Sequence, residues 1–138
     1  MKKILFIVGL FLITSNALFA QDGDEKIRDK MSEYIQQRMR LNKNEAERFA
    51  PVFLRYFREW RTTLKENQVR KDPLLLQQKI VELRLRYRTE FKDIIGEKRS
   101  NDVFRHQKEF IDELKTIRQE RIQKREGPRN RIRNLPTE

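Results

Sequence analysis

Leu41-Asn42-Lys43-Asn44-Glu45-Ala46-Glu47-Arg48-Phe49-Ala50-Pro51-Val52 ends one helix and begins another. The Asn42 side chain can take up a free N–H at a helix start, and Glu45, three residues on, can reach back to the N–H of Asn42. After this junction, Phe49, Val52, Phe53, Tyr56, Phe57, Trp60 and Leu64 recur at spacings of three and four. That is one face of a helix running to about Glu66. Pro51 lies inside it, removes one i→i−4 bond and predicts a kink near Glu47. Before the junction, Ile27, Met31, Tyr34, Ile35 and Met39 repeat the pattern from Asp24 to about Arg40.

The second half reads the same way. Asn67 to Asp72 is a polar linker, and Asp72-Pro73 pairs a capping acid with a proline at the first helical position. A third helix follows to Ile95, with Leu76, Ile80, Leu83, Tyr87, Phe91 and Ile94 on one face, and Gly96 suits a left-handed C-cap. A fourth starts between Glu97 and Asn101 and carries Val103, Phe104, Gln107, Phe110, Ile111, Leu114 and Ile117. It is expected to end near Arg125, before Gly127-Pro128, leaving 127–138 as a disordered basic tail. Strand-like alternation is absent from the sequence. The expected fold is all-α, with four long helices in antiparallel hairpins over 21–126.

The first twenty residues have another character. Lys2 and Lys3 precede the apolar run Ile4 to Leu12, and Ala17 and Ala20 end small-residue cleavage options. This is the pattern of a secretory signal peptide over 1–20, and it predicts export across the inner membrane to the periplasm with the leader cleaved. The chain carries +11, and the leader contributes two lysines and no acids, leaving 11 − 2 = +9. Inside a cell that charge would point to nucleic acid, but the expected location outside the inner membrane argues against it. Anionic lipid, acidic polypeptides and unfolded envelope proteins fit it instead. Without cysteine there is no disulfide, thiolate metal site or cysteine nucleophile.

The residues of the Asn42 junction also resemble a family pattern. Leu41, Asn42, Glu45, Phe49 and Pro51 resemble the Leu-Thr-x-x-Gln motif of the Spy/CpxP superfamily of periplasmic proteins. The match is closer to the branch labelled sensor of ECF-type sigma factor, where Leu-Thr-x-x-Glu-Ala is followed by Phe-x-Pro. Asn42 replaces the threonine, and Ile94-Ile95-Gly96-Glu97-Lys98 stands where a degenerate second copy would fall. The resemblance implies a cradle-shaped antiparallel homodimer. It also implies a non-enzymatic envelope-stress sensor or regulator with chaperone-like protein binding. Family members also include ATP-independent holdase chaperones and metal-binding sensors, so those remain alternatives. The partner would be an unfolded or acidic envelope protein or a membrane-anchored regulator.

Candidate protein-binding residues follow from mixed aromatic and basic character. They are Arg55, Tyr56, Arg58, Trp60 and Arg61 on the second helix, with Arg84 and Arg88 on the third. Core or dimer seam is the competing reading for each. His106 is the only histidine, and Asp102, Glu109 and Glu113 can share its helical face. One imidazole without a thiolate is too few ligands for a transition metal, so the expectation is a solvated face with no metal and no cofactor. No nucleophile elbow or phosphate loop suggests an enzyme. Arg118 to Arg133 holds seven cations and two acids. It is either a solvated tail or an electrostatic arm for anionic lipid or an acidic partner.

Overall fold

The computed structural model describes the backbone of residues 23–133 and the side chains of 23–125. Four helices and no strand occur among the described residues: α1 over 23–38, α2 Lys43–Arg70, α3 Pro73–Ile95 and α4 Glu97–Arg133. The expected leader, 1–20, and residues 134–138 lie outside the described residues.

Each boundary has a local cause. At the α1 end, Arg40 adopts a left-handed conformation (φ 51°). Its N–H donates to the Gln37 carbonyl, and the Leu41 N–H to that of Gln36, which closes the helix with a Schellman pair. α2 opens on the capping box at Asn42 and Glu45. It runs through Pro51 and past Glu66 to Arg70, so the connection to α3 is only Lys71 and Asp72. Lys71, with φ 54° and ψ 38°, stops the helix without a glycine. Asp72 then caps α3 by accepting from the Leu75 N–H at 3.0 Å, ahead of Pro73.

Besides the longer α2, two more ends differ from expectation. Gly96 takes positive φ but is not left-handed helical: φ 82° with ψ 168° is a region essentially reserved for glycine. That single residue turns α3 into α4. α4 itself continues through Gly127-Pro128 to Arg133, where the sequence pattern predicts an unstructured tail. The residues on either side, Gln123 to Glu126 and Arg129 to Arg131, are mostly good helix formers. A proline removes one hydrogen bond rather than a whole turn.

The apolar faces meet as the periodicity requires. Met31, Ile35 and Met39 of α1 join Phe49, Phe53 and Tyr56 of α2, Leu83, Tyr87 and Phe91 of α3, and Val103 and Phe110 of α4. The centre is aromatic: Phe91 lies 5.1 Å from Phe49, and Tyr56 lies 5.5 Å from Tyr87 and 5.4 Å from Phe104. α2 and α3 run antiparallel, as three ion pairs show by their reversed order: Glu66–Lys79, Glu59–Arg86 and Arg55–Glu90. α1 lies against α2 through Asp24–Arg61 and against α4 through the Tyr34–Phe110 ring pair at 5.4 Å.

Candidate interaction surface

The motif residues at the α1–α2 junction build a brace. The Asn42 side chain accepts from the Glu45 N–H at 2.9 Å, and the Asn42 N–H donates to the Glu45 carboxylate at 3.1 Å. The same carboxylate accepts from both terminal guanidinium nitrogens of Arg99 on α4, at 2.9 and 2.5 Å. Arg99 is itself held by its Nε donating to the Ile95 carbonyl at 3.0 Å. The Arg99 hydrogen bond first, then the Asn42 N–H, holds the Glu45 carboxyl below its ordinary range. Leu41 packs half-buried against the core, Phe49 is fully buried, and Pro51 faces solvent. The motif is therefore structural. Sequence reasoning missed Arg99, although it directly follows the Ile94–Lys98 segment.

The seven candidate binding residues do not share one face. Tyr56 is wholly buried, donates to the Gln107 side chain at 2.6 Å and belongs to the core. Trp60 is half-buried against Phe57 at 5.6 Å. Arg84 lies over the Phe104 ring at 5.5 Å. Arg55 is exposed on the α3 flank of α2, bound to Glu90. Arg61 is on the α1 flank, bound to Asp24 at 2.8 Å. Arg58 and Arg88 are exposed and have no ion pair among the described residues.

Arg58 and Arg61 come together with residues from α1. A groove of about 270 Å³ between α1 and α2 is lined by Arg28, Arg58, Arg61 and Lys65, against Asp24 and Glu25. Leu54, Phe57 and Thr62 complete its lining. The Arg61 Nε is buried there without a partner. Four cations against two acids, with an aromatic at the side, suit a carboxylate joined to an alkyl or aryl group. Arg28 was hidden from sequence reasoning because it lies on α1, 30 residues before Arg58, whereas Lys65, one turn past Arg61 on the same helix, was legible and was passed over.

α3 carries a second feature. Leu74, Val81 and Leu85 are 75%, 54% and 48% exposed on the side of α3 away from Leu83, Tyr87 and Phe91. Their spacing of seven and four is helical. The signal was present in the sequence but is overshadowed by the stronger core stripe of the same helix. Arg88 lies beside this outward stripe, one turn past Leu85.

His106 departs from the solvated face expected of it. Its side chain is only 11% exposed, and its Nδ1 lies 2.7 Å from the Glu109 carboxylate. It lines a cleft with Arg38, Met39, Arg99 and Arg105, where the end of α1 meets the start of α4. Asp102 is engaged by Arg105, and Glu113 by Tyr34 and Arg38. No group of three or more His, Asp or Glu side chains among the described residues is arranged to hold a metal ion. No helix among them is long and apolar enough to cross a membrane. Comparison with protein-family models, with curated proteins and with solved structures finds no match for this chain.

Proposed function

We propose that this chain is a non-enzymatic envelope-stress sensor or regulator of the Spy/CpxP kind, exported to the periplasm, which acts by binding protein. The observation that carries the reading is the α1–α2 groove, where Arg28, Arg58, Arg61 and Lys65 line the opening with Leu54 and the edge of the buried Phe57. Such a surface attracts an acidic, partly unfolded chain at long range and holds it weakly through apolar contact. The Asn42–Glu45 capping box supports the family resemblance, because it gives the Leu41–Pro51 segment the structural role that the motif implies. Pairing of two chains through the outward stripe of α3 supplies the homodimer.

Trp60 is the only tryptophan and touches Phe57 beside the groove, so its fluorescence reads occupancy. Titration with reduced, unfolded casein is expected to change that signal at low salt and to weaken as salt rises. Arg58→Glu should reduce the affinity without altering the melt, since Arg58 is exposed and unpaired. A parent protein that leaves casein unbound at every salt concentration would sink the proposal.

The holdase alternative has one observation in its favour. Val69, Leu74, Val81 and Leu85 leave apolar surface open on and beside α3. A holdase suppresses aggregation of several unrelated clients, whereas a regulator engages one partner and leaves those clients to aggregate.

A further inference from the structure

Charge pairing along α4 stops abruptly. Arg99 pairs with Glu45, Arg105 with Asp102, and Lys108 and Lys115 with Asp112. Beyond them, Arg118, Arg121, Lys124 and Arg125 are all exposed and have no hydrogen bond or ion pair among the described residues. Every described side chain from Asp112 on is exposed, yet the helix continues to Arg133. Residues 117–133 therefore project for about 25 Å as a single helix.

The faces of this overhang are sorted. Val103, Gln107, Phe110 and Leu114 form a row at helical spacing, buried in the bundle as far as Phe110. In the overhang the same row continues as Arg118, Arg121 and Arg125. Ile117 and Ile122 flank it on either side, 44% and 45% exposed. The reverse face holds Thr116, Gln119, Glu120 and Gln123, so the one acid of 114–125 points away from the arginines.

We propose that the α4 overhang is a docking helix for an anionic lipid surface. Arg118, Arg121 and Arg125 meet the phosphates, and Leu114, Ile117 and Ile122 reach the edge of the acyl region. Charge decides against a second copy of this basic chain, because packing two such rows together would bury unpaired arginines. Side-chain pattern decides against a protein partner. A helix that docks in a protein groove presents one unbroken apolar row, and here Ile117 and Ile122 lie on opposite sides of an arginine row with no aromatic anchor. A planar array of headgroups needs neither. The proposal uses neither the groove nor the α3 stripe, so it stands or falls separately from the protein-binding reading.

Co-sedimentation of the full chain with vesicles tests it. Binding is expected to vesicles of phosphatidylcholine mixed with phosphatidylglycerol, not to phosphatidylcholine alone, and to weaken as salt rises. Arg118→Gln, Arg121→Gln and Arg125→Gln together should lower the partition coefficient about a hundredfold, at about fivefold per cation. Ile117→Ser with Ile122→Ser should lower it several-fold. Neither set should shift the melt, because these side chains pair with nothing. Lys43→Gln, Arg48→Gln and Arg70→Gln remove the same charge from the bundle and should leave most of the binding. All variants share residues 1–22, so any lipid contact made there cancels. The proposal is overturned if the parent ignores anionic vesicles at low salt, or if the bundle triple loses as much as the overhang triple. Binding of polyglutamate through these arginines, with vesicles ignored, would reassign the helix to an acidic polypeptide.

Discussion

At the scale of single residues, Asn42 and Glu45 carry the most. Asn42→Ala removes the side-chain acceptor for the Glu45 N–H and is expected to cost about 1 kcal/mol in a urea melt. Asn42→Thr keeps an oxygen there and should stay within a few tenths of a kcal/mol of the parent. Glu45 has a further, pH-dependent role. Its carboxyl is held below the ordinary value of 4.5 in the folded chain, so the folded state binds that proton less readily than the unfolded state. The stabilisation is thus present above pH 4.5 and is lost as pH falls through the lowered folded value. Glu45→Gln should be less stable than the parent at neutral pH, and the difference should shrink on acidification below pH 4.5. A gap that stays constant between pH 7 and pH 3 would show that the Arg99 pair contributes nothing. The cap was legible because its residues lie three apart in one turn. Arg99 was not, since a partner 54 residues away leaves no mark in local spacing. The left-handed stops at Arg40 and Lys71 were equally hidden, because neither is a glycine or asparagine.

At the scale of elements, the α2–α3 seam joins a charged ladder to an aromatic layer, and magnitude separates them. The ladder pairs keep roughly half their side-chain surface in water: Arg86 and Glu59, for example, are 61% and 42% exposed. Such a pair is worth at most about 1 kcal/mol, so Arg86→Gln should barely move the denaturation midpoint. Phe91 is fully buried between Phe49, Tyr56, Tyr87 and Phe104, and Phe91→Ala should cost about 3–5 kcal/mol. Equal losses for the two variants, read by urea denaturation, would mean that the seam is held by charge. Four helices and their inward faces were legible because the 3.6-residue period is written plainly in Phe, Tyr, Leu and Ile. The ends of α2 and α4 were less so. Asn67–Arg70 and the Gly127-Pro128 pair look like breaks locally but do not interrupt the helices.

At the scale of the whole molecule, the outward row of Leu74, Val81 and Leu85 is apolar surface that a basic monomer leaves in water. Sedimentation at micromolar concentration is expected to show a dimer. Val81→Lys with Leu85→Lys should yield a monomer whose melt no longer depends on concentration. A monomeric parent would remove the cradle geometry and leave the groove to act alone. The candidate surface was only partly legible at this scale. Arg58 and Arg61 were identifiable from the sequence, and Lys65 follows them on the same helix, but Arg28 is brought in from α1 by packing, and Tyr56 was drawn inward by the same packing. The Glu45–Arg99 brace has one more consequence. It lies where both the α1–α2 and α3–α4 turns meet, while the opposite pole, at Lys71 and Asp72, has beside it the longer, single contact Glu66–Lys79 at 3.4 Å. The bundle should therefore breathe from one side. Within the bundle, leaving aside the exposed end of α4, amide hydrogens around Asn67–Leu76 exchange with solvent before those around Glu45 and Ser100, and cutting the brace levels the gradient.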